Sequence, residues 1–340
     1  MADSPKDTKE IREKKKKALA IPKPFRSPLA YENPAFTSGP EGRSLRILAE
    51  YWEPLSRFRK ERIQDTVVFF GSARFNSMSS AQERLQLLEK PGSAQPAPPE
   101  EQPLGQTEGT DIDELESITG VDERGELSLN MKRAQAAIEM ARYYEDARRL
   151  AGMLTEWSMT IPSKRHRFVV TSGGGPGIME AANLGAWEVG GKTIGLNIRL
   201  PYEQMPNPYI TPALNLEFHY FFMRKYWFAY LAKALVVFPG GFGTMDELFE
   251  LLTLAQTGKL AKKMIVIIYG REYWHRVVNF KALADWGAIS PKDLDLFHFA
   301  DTPEEGFQLL KENLTRYHLE SPQAKRAGSG EGPEIAKTLG

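Results

Sequence analysis

The run Pro239-Gly240-Gly241-Phe242-Gly243-Thr244-Met245-Asp246-Glu247 follows directly on the apolar segment 234–238. A buried strand that ends in such a glycine turn and opens a helix is suited to an anion. Glycine lets backbone approach the ligand closely, and the first helical N–H groups, which have no intrahelical acceptors, lie at the positive end of the helix dipole. Phosphate seated there would repel the carboxylate of Glu247, so that carboxylate serves another part of the same ligand. The layout predicts a phosphorylated molecule whose reacting centre lies close to its phosphate, with Gly240, Gly241, Gly243 and Thr244 as the anion contacts.

Two other strand ends carry comparable turns: Gly71-Ser72-Ala73-Arg74, and Ser172-Gly173-Gly174-Gly175-Pro176-Gly177 followed by Met179 and Glu180. One glycine turn reads equally well as a place where a helix packs tightly on a sheet. Three at one sheet edge are harder to explain by packing, and they add Ser72, Gly174 and Gly175 to the candidate ligand contacts. Better-known phosphate motifs fit poorly. A dinucleotide fingerprint at 173–177 lacks an acid at the end of the following strand, which reads Asn197-Ile198-Arg199. Gly190-Gly191-Lys192-Thr193 has Ala186 where a P-loop needs its first glycine, and it precedes a strand. Arg224 and Lys225 lie on an aromatic helix that leads into the 234–238 strand. Spacing alone favours reading them as a surface pair on a packing helix. His219 reads as structural, since no second ligand stands at metal spacing.

The elements that must position these residues follow from the pattern of apolar runs. Short strands at 66–70, 168–171, 193–197, 234–238, 264–268 and 295–299 alternate with helices at 81–88, 131–157, 177–189, 221–232, 244–257, 271–285 and 303–317. A further helix from about 45 to 63 is kinked or restarted at Pro54. This alternation predicts an α/β fold: a doubly wound, Rossmann-like parallel sheet with helices on both faces, forming a single domain over 43–320. Such sheets bind ligands beyond the carboxyl ends of their strands, at the switch point. Residues 1–42 read as a disordered arm, 91–130 as a disordered Pro-rich and acidic insertion, and 321–340 as a disordered tail.

Composition excludes several classes. The 340 residues hold 44 basic and 44 acidic side chains, so no net field points to nucleic acid or an anionic membrane. There is no cysteine, which removes disulfides, thiol nucleophiles and cysteine-based zinc sites. No apolar run reaches the ~18 residues of a membrane span. A cytoplasmic protein with no metal and no cofactor is the expectation.

Taken with Arg224-Lys225 upstream, the Pro-Gly-Gly-x-Gly-Thr-x-x-Glu run resembles the Lonely Guy (LOG) family, whose members were long labelled lysine decarboxylases. The resemblance covers about 66–74 and 167–317 and takes in the first two glycine turns. Leu200-Pro201-Tyr202-Glu203 is similar to the family's substrate-contacting segment, which adds Glu203. Residues 207–212 and 219–225 resemble the longer bacterial branch. The resemblance implies hydrolysis of the N-glycosidic bond of nucleoside 5′-monophosphates, AMP-like or cytokinin riboside monophosphates. It makes Arg224 and Glu247 the catalytic pair, places Lys225 at the substrate, and implies a homodimer or higher homo-oligomer with the aromatic helix as a candidate seam. Chemically, an anionic Glu247 would stabilise the positive charge that builds on the ribose and activate water, while Arg224 would keep Glu247 ionised. Decarboxylation fares badly, because no lysine stands in a cofactor-holding context. The competing class is a non-catalytic nucleotide-binding or sensor protein on the same fold.

Overall fold

The computed structural model describes residues 26–89, 123–200, 205–260 and 262–320. The chain divides into two compact units at Ala49/Glu50. In the first, three short helical turns, Ala30–Glu32, Pro34–Thr37 and Pro40–Gly42, lead into helix α1 (Arg43–Lys60). Asn33 caps the second turn through its side chain, and the Arg46 guanidinium donates to the carbonyls of Thr37 and Gly39. Residues 30–42 of the expected arm therefore carry local structure; residues 1–25 lie outside the described residues.

Among the described residues, seven strands belong to the second unit: β1 (Thr66–Phe70), β2 (Val169–Ser172), β3 (Thr193–Ile198), β4 (Asn215–Phe218), β5 (Ala232–Val237), β6 (Ile265–Tyr269) and β7 (Phe297–Ala300). They form one parallel sheet in the order β4-β3-β2-β1-β5-β6-β7. The chain winds outward from β1 to β4, then returns to pair β5 on the other side of β1, with Val67 beside Ala234 and Phe70 beside Val237. The switch point therefore lies between β1 and β5. The helices connecting the strands are α2 (Met78–Glu89), α3 (Glu123–Met159), α4 (Ile178–Glu188), α5 (Phe221–Leu231), α6 (Phe242–Gln256), α7 (Arg271–Val277), α8 (Phe280–Asp285) and α9 (Pro303–Leu314).

Alternation along the strands builds two apolar layers. Val67, Phe69, Val170, Val236 and Ile267 pack with Leu150, Leu154, Ile178, Ala181 and Leu310 of α3, α4 and α9. Phe70 faces the other way, with its ring 4.7 Å from that of Phe228 in α5. At the opposite edge of the sheet, buried Asp65 accepts from Arg167 Nε at 2.9 Å and from the Phe168 N–H at 2.7 Å. That contact holds Phe168 in a left-handed conformation, φ 52°.

Four expectations change. Edge strand β4 was not among the expected strands; its alternating exposed and buried residues are too few to stand out beside the prolines that precede it. The 271–285 helix is two helices, the second restarted by an Asn279 cap. The first helix continues through Pro54 unbroken. Helix α3 starts at Glu123, inside the stretch expected to lie outside the fold; residues 90–122 and the 321–340 tail lie outside the described residues.

Candidate functional site

The three glycine turns meet at the carboxyl ends of β2, β1 and β5. Backbone hydrogen bonds join them: the Phe238 N–H donates to Phe70 O at 2.8 Å, Ser72 N–H to Pro239 O at 3.0 Å, and Ile178 N–H to Ser72 O at 3.1 Å. Ser72 is thus the tie between neighbours on both sides, and its hydroxyl accepts from the Arg74 N–H at 3.1 Å. Gly177 adopts φ 70°, and a Cβ there would lie 2.4 Å from Ser72 O. Gly174, also at positive φ, donates to Ser172 Oγ and accepts from Asn207, whose amide reaches the Gly175 carbonyl as well. Asn207 was not singled out in the sequence. Nothing in its spacing marks it, because its partners, the Gly174 and Gly175 carbonyls and the Asn183 side-chain carbonyl, are brought in by the fold.

The β5–α6 turn separates packing from ligand access. At Gly240 an added Cβ would fall 2.1 Å from Thr244 Oγ1, so packing alone requires glycine there. At Gly241 and Gly243 no described atom other than the chain neighbours and the helix's own backbone lies within 4 Å of that position. Those two glycines leave open space above the first turn of α6. The first intrahelical bond runs from the Met245 N–H to Gly241 O, which leaves the N–H groups of Phe242, Gly243 and Thr244 without intrahelical acceptors. The N-cap, Gly241, supplies no side chain for them. Phe242, on the same turn, is 93% exposed.

One turn further into α6, Glu247 is 4% exposed, and its Oε1 lies 3.8 Å from Arg224 Nη2 on α5. That gap is an ion pair without a hydrogen bond. The Arg224 guanidinium lies 5.3 Å from the Phe221 ring and 5.5 Å from the Phe228 ring, and its buried Nε has no hydrogen-bond partner among the described residues. Burial lowers the Arg224 pKa. Burial also drives the Glu247 carboxyl up to about 7, against the opposing pull of Arg224. The expectation that Arg224 keeps Glu247 ionised is thereby corrected, since desolvation outweighs the cation. The carboxyl is poised to exchange a proton near neutrality, the condition for a general base.

Lys225 is placed differently from its expected role. Its ammonium pairs with Asp246 and Glu250, each at 2.7 Å, and so ties α5 to α6 on either side of Glu247. Glu203 lies outside the described residues. Half-buried Lys262 donates to the carbonyls of Ala229 and Tyr230, ahead of the strand starts and away from the glycine turns. His219 is held through its backbone N–H by Glu50. Among the described residues, no group of three or more acidic or histidine side chains is placed to hold a metal. None of the described helices is long and apolar enough to cross a membrane.

Fold and site define a doubly wound α/β protein with an open glycine turn beside a buried arginine–glutamate pair. A family model described as "possible lysine decarboxylase" matches residues 179–310, a span that holds both Arg224 and Glu247. The cytokinin riboside 5′-monophosphate phosphoribohydrolase LOG3 of Arabidopsis thaliana is 28% identical over 151 residues, 42% of this chain and 66% of that protein. A probable enzyme of the same name in Oryza sativa subsp. japonica, LOGL6, is 26% identical over 162 residues, 46% of this chain and 62% of its own length. The match thus spans slightly less than two thirds of these relatives. Among solved structures, the molybdenum cofactor carrier protein of Chlamydomonas reinhardtii aligns with 51% of this chain and 89% of its own, at 20% identity and a TM-score of 0.32. Over residues 179–310 the chain is therefore similar to the LOG family.

Proposed function

We propose that this protein hydrolyses the N-glycosidic bond of nucleoside 5′-monophosphates, AMP or a cytokinin riboside monophosphate, giving free base and ribose 5-phosphate. The observation that carries this reading is the open first turn of α6 with Glu247 one turn beyond it, paired with Arg224. Phosphate anchored on the free N–H groups sets the ribose over the carboxylate, so binding energy remote from the scissile bond positions it. As the C1′–N bond breaks, its electron pair leaves with the base nitrogen, which is reprotonated from water. Positive charge grows on the ribose, where ionised Glu247 stabilises it. Water then bonds to C1′ and gives a proton to Glu247, which passes it to the hydroxide left when the base took its proton, so the carboxylate is restored. Arg224, whose Nε has no partner among the described residues, offers donors to the ribose hydroxyls or the phosphate.

The names of the relatives support the same chemistry. The proposal extends to a cytoplasmic protein that assembles as at least a homodimer, with the half-exposed Phe221 and Phe222 of α5 at the seam. Light scattering on the purified chain tests the assembly. Incubation with AMP and a panel of other monophosphates, followed by chromatography, tests the reaction. Release of free base supports it, and intact nucleotides throughout would leave a binding protein.

A further inference from the structure

Tyr273 belongs to none of the sequence motifs, yet its hydroxyl donates to the Gly240 carbonyl at 2.9 Å. The helix that carries it, α7, is firmly pinned. Trp274 is fully buried and its indole N–H donates to Tyr269 O at 3.1 Å. The Gly270 N–H donates to Ala300 O at 2.9 Å, and Arg271 donates to Asp301 through both its backbone N–H and its guanidinium. Tyr273 therefore reaches the phosphate turn from a fixed base. Burial raises its pKa, so the phenol remains a protonated donor at neutral pH.

The Gly240–Gly241 peptide is planar and trans, so its N–H points opposite to its C=O. A hydroxyl bound to that carbonyl consequently fixes where the Gly241 N–H points, which is away from Tyr273. Gly240 is wedged against Thr244 and the Ser72 N–H, whereas the neighbouring Gly241 and Gly243 have open space about them. Two glycines on end are the least restrained peptide in the turn, and Tyr273 removes that freedom.

We propose that Tyr273 is a positioning residue for phosphate, turning the Gly241 N–H toward the same anion that the first turn of α6 receives. This rests on the reading that the anion of the substrate sits on this turn. The test compares the full-length chain with its Tyr273→Phe variant, which keeps the ring and removes only the donor. Ribose 5-phosphate binding is measured by calorimetry, together with hydrolysis of AMP and of adenosine. Loss of one hydrogen bond of this kind predicts ribose 5-phosphate affinity lower by roughly 2- to 10-fold. The AMP specificity constant should fall by the same factor through KM, with adenosine hydrolysis unchanged. Unaltered affinity in the variant would overturn the proposal. So would an equal fall for AMP and adenosine, which would make Tyr273 a support of the fold alone, or no binding of ribose 5-phosphate by either protein. A chain that binds ribose 5-phosphate but hydrolyses nothing would defeat the hydrolase reading, and the binding comparison would still decide the role of Tyr273.

Discussion

Replacing Glu247 by glutamine removes one titration and leaves the volume of the site nearly unchanged, and the structure fixes the sign of two separate readouts. In the folded chain the carboxyl titrates near 7, against an ordinary 4.5. The folded state therefore holds this proton more tightly than the unfolded chain does. The resulting stabilisation is complete below pH 4.5 and is lost as pH rises through 7. A difference of this size corresponds to roughly 3 kcal/mol. Urea denaturation of wild type and Glu247→Gln at pH 5 and pH 8 measures it as a difference of differences. Relative to wild type, the variant should gain about 2.5 kcal/mol between those two conditions, because part of the stabilisation is already lost at pH 5, whatever its offset there. The second readout is turnover. With an ionised Glu247 required, kcat/KM for AMP should rise with pH to a plateau above about 7. The variant should lose that acid limb and roughly 10²-fold or more in rate, while still binding ribose 5-phosphate. A wild-type profile flat between pH 5.5 and 8, or a variant within tenfold of wild type, would remove Glu247 from the mechanism.

Gly177→Ala should destabilise the fold by about 2 kcal/mol or more and depress turnover, because the positive φ and the contact with Ser72 O both resist a Cβ; thermal melts and AMP turnover check it together. Asp65→Ala should cost about 3–5 kcal/mol in urea, since it strips Arg167 and the strained Phe168 of their shared acceptor. Because Asp65 is at the far edge of the sheet, kcat of the folded fraction should be unchanged. Replacing residues 91–122, Pro-rich and acidic by composition, with a short Gly/Ser linker should preserve AMP hydrolysis and the melting temperature. An inactive but well-folded product would place that segment in the site.

Repeating local patterns made most of the sheet legible in advance. The apolar runs at 66–70, 234–238 and 264–268 correspond to β1, β5 and β6, and the glycine turns follow their strands as expected. Short β4 stayed hidden because four alternating residues give too little signal. The site was legible where a motif fixes neighbouring backbone, as in Gly240–Thr244. It was opaque where a single side chain reaches across the fold. Tyr273 reaches a carbonyl remote in sequence, and Lys225, adjacent to Arg224, turns to the carboxylates of α6. The protonation of Glu247 depends on how much water the packed helices exclude, a quantity that spacing does not encode.

The pairing of β1 with β5 also governs when this site can exist during folding. Thr66 lies beside Ala232 in the sheet, so among the described residues three strands and four α-helices intervene between the two partners. Closing so long a loop carries an entropic cost before any native contact compensates it, which makes this pairing a late event. On a ribosome, β1 is synthesised long before its partner exists, and until then it can align only with β2. The tie from Ser72 to Pro239, and with it the phosphate turn beside its arginine and glutamate, forms only when the second half of the sheet docks. A chain halted before β5 would carry two of the three glycine turns in place and no site at all.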